Sequence, residues 1–200
     1  MVAKIEDLAR RKLVSHDREV LEMNTVQRMN MATGLIHVGY DPQRISRLLD
    51  WREFEKFAAE SLEQNGFRTV HHLVFRSRVG RREIDLLAWN DSFLFAIDCK
   101  HWSRGLSPSS SRQVALAQLE RAESLAERAE VLRKHGVTKL EKRYIIPVIF
   151  CLADSRHGVV DRIPVVAISR LISFLYGISP IDEGLRRIPV RINEGQLSLC

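Results

Sequence analysis

Three ionisable residues lie where the neighbouring sequence is apolar, and their side chains could together support hydrolytic chemistry. Asp85 lies in segment 83–89, and Asp98 and Lys100 end segment 95–100. A charged group inside a sheet costs on the order of several kcal/mol unless it is paired or binds a metal. Because residues two apart on a strand point to the same face, Asp98 and Lys100 emerge side by side, and a neighbouring strand can bring Asp85 next to them. Such a cluster can hold a hard divalent cation and a water molecule beside a phosphate group.

A helix is predicted to precede these strands. Asp50 and Glu53 form a capping-box pattern, and the helix runs to about Gln64 before Gly66 ends it. Glu55 falls at the edge of the apolar stripe, where it either faces the sheet or is an ordinary surface glutamate. The stripe itself has helical spacing and consists of Trp51, Phe54, Phe57, Ala58 and Leu62.

Three strands follow, at about 68–77, 82–89 and 92–100, with turns at Val79-Gly80 and Asn90-Asp91. Four arginines cluster around the first turn. They either contact phosphates, which would position a nucleic acid without reading its sequence, or keep the hairpin tip soluble. These arginines are Arg76, Arg78, Arg81 and Arg82.

Residues 103–112, directly after the lysine, are rich in serine and glycine and are predicted to form a loop. It either closes on a substrate or is a plain linker. Arg104 and Arg112 within it are further candidates for phosphate contacts. A long helix is predicted over about 111–135, and Gln118 lies within its apolar face.

The remaining elements complete a mixed sheet. Strands are predicted at 144–152 and 163–168, a short helix at 171–176 and a further strand at 188–192. The order is helix, three strands, helix, strand, strand. A three-strand meander followed by a helical crossover predicts an α/β fold with a mixed sheet flanked by helices.

The N-terminal segment has loose helical periodicity over residues 1 to about 40, with Ser15 as a cap between two helices. We therefore predict two units, a helical segment at 1–45 and a catalytic domain at 46–200. The first unit is either a helical layer packed on the core or an arm for DNA binding or dimerisation.

Composition points to a nucleic-acid partner and to the cytoplasm. The 200-residue chain carries a net charge of +6, and arginine outnumbers lysine 24 to 7. Arginine binds phosphate in a bidentate manner, although a genomic composition bias would give the same excess. No apolar run is long enough to cross a membrane. The three cysteines have no metal-site spacing, which indicates a reducing, cytoplasmic setting.

The histidines offer no zinc site. His71 and His72 are adjacent, so on a regular strand they face opposite ways, and His101 should face away from Lys100. No histidine has zinc-site spacing with another histidine or cysteine. We interpret them as packing residues or phosphate contacts.

The pattern resembles the PD-(D/E)XK nuclease superfamily, which has the restriction-endonuclease-like fold. The resemblance is carried by Asp85, Asp98 and Lys100, with Ile97 as the apolar residue before the second acid. Ile84 stands where the motif often has proline. The resemblance covers roughly residues 50–175 and implies an αβββαβ core. Archaeal Holliday-junction resolvases and Mrr-type restriction enzymes are the nearest subgroups, and they imply a homodimer.

The resemblance also implies a Mg²⁺ site, in which Mn²⁺ could replace Mg²⁺. Lys100 would orient or help deprotonate the attacking water, and Gln118 would position the nucleophile or the lysine. Glu55 matches a position where the superfamily often adds a metal-site glutamate, and it would either support a second metal or hold a water in the outer shell. The implied metal ligands are Asp85, Asp98, the Cys99 backbone carbonyl and Glu55.

These expectations lead to a metal-dependent DNA endonuclease as the first hypothesis. Cutting would be structure-specific or restriction-like. Two alternatives remain open. One is a nucleic-acid-binding module that keeps the fold without turnover, and the other is an RNA-processing nuclease.

Overall fold

The protein contains a seven-stranded mixed sheet between helical layers, which confirms the predicted α/β class. The structure is a computed structural model that describes residues 15–17, 20–38, 40, 45, 48–100, 108–140, 143–152 and 158–192. In this part of the chain, no helix is both long and apolar enough to cross a membrane.

The first two helices pack against each other. Helix α1 spans Thr25–His37 and helix α2 spans Trp51–Gln64. The predicted capping box is present at the start of α2, since the Asp50 side chain accepts from Arg52 N–H and Asp50 N–H donates to Glu53. Gly66 follows the helix with φ +82°, a left-handed conformation that glycine adopts at little cost.

The predicted meander is confirmed. Strands β3 (Arg68–Ser77), β4 (Gly80–Trp89) and β5 (Leu94–Lys100) pair in antiparallel order. Gly80 closes the first turn with φ +121°. The Asn90 side chain closes the second turn by accepting hydrogen bonds from the backbone N–H groups of Ser92 and Phe93.

The crossover after β5 differs from the prediction in two ways. Helix α3 spans Pro108–Ala126, so the second half of the expected loop 103–112 is helical, because proline is well suited to the first turn of a helix. A break at 127–128 then separates α3 from α4 (Ala129–Lys134), where one helix was expected. Strand β6 (Tyr144–Cys151) runs parallel to β5, as a crossover requires.

The two strands predicted near the C-terminus are shorter than expected. Strands β7 (Val159–Val160) and β8 (Ile163–Ala167) pair with each other, and β8 runs parallel to β6. A 3₁₀ turn at Ile168–Arg170 leads into α5 (Leu171–Gly177). Strand β9 contains Ile188–Pro189 rather than the whole of 188–192, because it pairs only with the start of β6. The sheet order is β3-β4-β5-β6-β8-β7, with β9 beside β6.

Two apolar layers bury the two faces of the sheet. One contains Met29, Phe54, Leu62 and Phe95, and thus joins α1 and α2 to the sheet. The other packs α3 and α4 on the opposite face. Each layer buries enough apolar surface to hold its helices in a fixed position on the central strands.

The N-terminal prediction is partly wrong. Ser15 begins a short strand, β1 (Ser15–Asp17), which pairs with β2 (Val20–Glu22), and so it does not cap a helix. Within the described residues the first helix begins at Thr25, and residues 1–14 lie outside the described part of the chain. Met29 of α1 is fully buried in the same apolar layer as α2. The division at residue 45 stays a prediction.

Candidate active site

Helix α2 delivers Glu55 to the sheet. Phe54, Ala58 and Leu62 are buried and fix the rotation of the helix on the core. Glu55 is itself only 4% exposed. The structure therefore favours the buried interpretation of this residue and not the surface one.

A local irregularity in the sheet opens space for the acids. The β3–β4 ladder pairs His71 with Leu86 and Leu73 with Ile84, and no pairing joins His72 to Asp85 between them. His72 has φ 49°, which is uncommon for a residue with a Cβ atom. In a regular strand, Ile84 and Leu87 would face opposite sides of the sheet, because they are three residues apart. Both enter the same apolar layer, so the alternation of β4 side chains between the two faces shifts by one residue here.

Strands β4 and β5 separate at the same level. Their last ladder pair is Leu86 with Ile97, so Asp85 and Asp98 lie just beyond it. The Asp85 carboxylate takes over the role of the missing strand partner, because its Oδ2 accepts the backbone N–H of Cys99 at 2.8 Å. The two acids are thereby placed on adjacent strands where the strands diverge.

Asp98 is the most deeply buried of the three acids, at 1% exposure. Its Oδ1 accepts hydrogen bonds from Lys100 Nζ at 2.9 Å and from an Arg121 guanidinium nitrogen at 2.6 Å. Its Oδ2 is buried and has no hydrogen-bond partner among the described residues. A buried carboxylate oxygen without a partner is costly, and a bound cation would remove that cost.

Gln118 does not reach Lys100 through any hydrogen bond that the structure shows. It is fully buried, its Nε2 donates to the Ala96 carbonyl at 2.7 Å, and its Oε1 accepts from Arg121 at 2.9 Å. That Gln118 positions the nucleophile or Lys100 stays a prediction. Gln118 holds the arginine that in turn holds Asp98.

Burial and mutual repulsion disfavour ionisation of Glu55 and Asp85 in the absence of a cation. Burial, followed by the charge of Asp85, raises the pKa of Glu55 to about 7, although His72 opposes the shift. Burial and the Asp98 charge raise the pKa of Asp85, against the hydrogen bond from Cys99. Burial, followed by Asp85, raises the pKa of the Cys99 thiol well above its usual value, so this thiol stays protonated.

These groups surround a cavity of about 590 Å³ at the edge of the sheet. His72 joins its wall by lying between two acids, with Nε2 at 3.3 Å from Glu55 and Nδ1 at 3.1 Å from Glu83. The cavity therefore brings together residues from α2, β3, β4, β5 and α3. Its lining consists of Trp51, Glu55, His72, Arg81, Arg82, Glu83, Asp85, Asp98, Cys99, Lys100 and Arg121.

The donor set fits a hard divalent cation. Among the described residues, no three His, Cys, Asp or Glu side chains already form a complete ligand group. Mg²⁺ does not require one, because it keeps several waters and uses one or two carboxylates. Asp98 Oδ2 and the neighbouring Asp85 carboxylate supply that number. A role for the Cys99 carbonyl stays a prediction.

The structure separates the six predicted phosphate-contacting arginines. Arg81 and Arg82 line the cavity, whereas Arg76 is exposed on the hairpin opposite Arg81. Arg78 pairs with Glu127, and Arg112 pairs with Asp161, both at the surface. Arg104 lies outside the described residues.

A larger cavity of about 1210 Å³ lies beside the first, and Arg82 lines both. Three of its six arginines pair with acids of α3 and of the break that follows it: Arg78 and Arg191 with Glu127, and Arg186 with Glu123. It contains neither Asp85 nor Asp98. We therefore place the candidate chemistry in the smaller cavity.

Sequence reasoning did not name four residues of the smaller cavity as site residues: Trp51, His72, Glu83 and Arg121. Arg121 lies three residues after Gln118, and this spacing places both on one side of the helix, so a search one turn beyond Gln118 would have found it. His72 was assigned to packing or phosphate contact because regular alternation was assumed at this position. Histidine adopts positive φ more often than most residues, but the strand pattern on both sides of His72 gave no reason to expect it here.

The match to known families agrees with this geometry. Residues 50–151, half of the chain, match the family described as Nuclease-related domain, or NERD. The chain belongs to the nuclease-related domain family. This family has the restriction-endonuclease-like fold, which confirms the resemblance at superfamily level. The matched range of this nuclease-related domain runs from the α2 cap to the end of β6, and so it contains every acid of the cavity.

Other comparisons add little. No curated protein matches the chain. One solved structure, described as a protein of unknown function, AF1548, is 21% identical with a TM-score of 0.33. The match covers 62% of this chain and 54% of that one, so the chain spans about half the length of that protein.

Proposed function

We propose that this nuclease-related domain is a Mg²⁺-dependent endonuclease that hydrolyses phosphodiester bonds in DNA, with Mn²⁺ able to replace Mg²⁺. The observation that carries the proposal is Asp98 Oδ2, which is buried, has no hydrogen-bond partner in the described part of the chain and belongs to a residue that lines one cavity with Asp85 and Lys100. A buried carboxylate oxygen without a hydrogen-bond partner is destabilising, and a bound metal ion would stabilise it. The same ion would serve phosphodiester hydrolysis, and the nearby basic side chains would bind the phosphate.

Asp85 and Asp98 would hold the metal, and Glu55 would hold a water in its outer shell. When bound, Mg²⁺ supplies charge neutralisation at the phosphate and lowers the pKa of a water. Lys100 lies 2.9 Å from Asp98 and is 28% exposed, so its ammonium group can donate a hydrogen bond to the attacking water. It can also stabilise negative charge that develops on the phosphate oxygens.

The substrate would approach along the arginines of the hairpin. Arg81 and Arg82 face the cavity, and Arg82 Nε is buried without a hydrogen-bond partner among the described residues. Guanidinium groups in this state favour a phosphate-bearing ligand. Such contacts position a backbone without reading bases, which suits structure-specific cutting. A homodimer, as in resolvases, forms part of the proposal.

The direct test is cleavage of a DNA panel by wild type, Asp98→Asn and Glu130→Gln. The panel contains linear duplex, supercoiled plasmid, single strand, flap and four-way junction. Asp98→Asn keeps the shape of the side chain but removes its charge. Glu130→Gln makes the same change on the surface of α4, where the carboxylate pairs with Arg128.

We expect wild type and Glu130→Gln to cut with Mg²⁺ and to stop with EDTA, and Asp98→Asn to lose at least about 100-fold in rate. Binding without cleavage by wild type, with either metal, would contradict the proposal and favour the non-catalytic binding module. A matching RNA panel distinguishes the remaining alternative, because cleavage of RNA alone would identify an RNA-processing nuclease.

A further inference from the structure

We propose that the guanidinium group of Arg121, a permanent positive charge beside Asp98, limits the catalytic centre to one divalent metal ion. The inference rests on the proposed function, because it concerns the number of metals at the same site. Arg121 contacts a residue of that site directly, yet it belongs to no part of the expected motif. Its role is to position and neutralise Asp98.

The oxygens of Asp98 are unequal. Oδ1 is held by Lys100 at 2.9 Å and by Arg121 at 2.6 Å, whereas Oδ2 has no partner among the described residues. In two-metal sites the ions lie about 3.5–4 Å apart, and a carboxylate that bridges them must offer one oxygen to each. Asp98 can offer only Oδ2 while Lys100 and Arg121 stay in place, and of these two cations Arg121 is the one that the buried Gln118 also holds. Asp98 can therefore coordinate only one ion.

Arg121 is held firmly in its position. Gln118, one helical turn earlier, accepts from the same guanidinium nitrogen at 2.9 Å and is tied to the Ala96 carbonyl at 2.7 Å. Ala96 lies on β5, two residues before Asp98. Helix α3 and strand β5 thus fix both ends of the contact, and the Arg121 side chain is only 25% exposed.

The charges around the cavity also favour a single ion. Four carboxylates and four basic side chains line it, so its formal charge is zero with His72 neutral. One divalent ion then gives an excess of two positive charges, which suits an incoming phosphodiester. A second ion would have to enter a cavity that is already positive, in an interior where repulsion is poorly screened.

The test is a titration of the full chain with Mn²⁺ in the absence of nucleic acid. Calorimetry measures the heat of binding, and electron paramagnetic resonance measures the Mn²⁺ that stays free. Wild type is expected to bind one Mn²⁺ per chain. Arg121→Gln removes the charge and is expected to bind a second Mn²⁺ per chain. Arg121→Lys keeps a cation and is expected to bind one.

Arg128→Gln is the matched control, because Arg128 pairs with Glu130 at the start of α4 and does not line the cavity. Circular dichroism and thermal unfolding establish that each variant folds. Two ions in wild type, or a curve for Arg121→Gln that equals that of Arg128→Gln, would overturn the inference, as would a wild type that binds no Mn²⁺.

Failure of the inference and failure of the proposed function give different results. If wild type binds one Mn²⁺ per chain but cuts no nucleic acid, the proposed function fails while the metal count stands. If wild type cuts DNA but binds two ions, the proposed function stands and the role of Arg121 is overturned. The wild-type ion count and Arg121→Lys, which keeps a cation at this position, still test the role of Arg121 if Arg121→Gln does not fold.

Discussion

The Cys99 backbone N–H donates a hydrogen bond to Asp85 Oδ2 at 2.8 Å, just beyond the last paired residues of β4 and β5. One carboxylate therefore closes a gap in the sheet and also faces the candidate metal site. The two roles make different demands. The hydrogen bond needs an acceptor oxygen, whereas a metal needs the negative charge.

Two substitutions at Asp85 should separate these roles. Asp85→Asn keeps an acceptor for the Cys99 N–H, so we expect near-normal stability and a loss of cleavage of at least about 100-fold. Asp85→Ala removes the acceptor as well, and an unpaired N–H in this position should lower the free energy of unfolding by about 1–3 kcal/mol. Urea unfolding and plasmid cleavage measure the two effects. Equal stability of both variants would show that the hydrogen bond contributes nothing.

Gln118 should matter for stability and for the state of Arg121. Gln118→Leu leaves the Ala96 carbonyl without its buried donor, and we expect a loss of about 1–3 kcal/mol in unfolding free energy. Gln113→Leu on the same helix changes an exposed residue and serves as the control. We also expect Gln118→Leu, but not Gln113→Leu, to alter Mn²⁺ affinity, because Arg121 loses one of its two acceptors. Similar stability of the two variants would contradict this assignment.

The metal-free protein should lose stability as the pH rises through 7. The pKa of Glu55 is raised from 4.5 to about 7, so the folded state holds this proton more tightly than the unfolded state. Its contribution is fully present below about pH 4.5 and is lost as the pH rises through 7. Each pKa unit corresponds to about 1.4 kcal/mol, so the loss amounts to a few kcal/mol at most. Asp85, whose pKa is also raised, acts in the same direction.

Urea unfolding in EDTA between pH 5 and 8 checks this slope. Glu55→Gln should flatten it, whereas Glu60→Gln, at a half-buried position of the same helix, should not. Added Mg²⁺ should restore stability to wild type at pH 8, because the ion binds the ionised acids of the folded state only. Parallel slopes for wild type and Glu55→Gln would contradict the assignment.

Arg82 should contribute to nucleic-acid affinity at both cavities. In a cleavage-deficient Asp98→Asn background, Arg82→Ala is expected to weaken duplex binding and to reduce the salt slope of log Kd by about one, the signature of one lost phosphate contact. Arg128→Ala, which removes a surface arginine of the α3–α4 break, is the control. Fluorescence anisotropy between about 50 and 200 mM salt measures the affinity for duplex DNA and its salt slope. An unchanged salt slope for Arg82→Ala would show that Arg82 makes no phosphate contact.

Local sequence patterns predicted the elements that are stabilised locally. The capping box at Asp50 and Glu53, the stop at Gly66 and the turn at Gly80 depend on neighbours within four residues, and the structure contains all three. The β3–β4–β5 meander follows for the same reason, since its turns are short. The break between α3 and α4 was missed, because tertiary packing overrides weak helical periodicity there. The strand at Ser15 was missed although it pairs locally with β2, because the loose helical periodicity around it favoured a helix.

The sequence by itself determined which residues could do chemistry. Acids and a lysine at the end of apolar strands are too costly to bury for packing alone, and Asp85, Asp98 and Lys100 do line one cavity. Only the tertiary structure decided how they are used. The positive φ of His72, the separation of β4 from β5 and the contact of Arg121 with Asp98 join residues up to 23 positions apart. Such contacts arise from the packing of whole elements, and no local pattern encodes that packing.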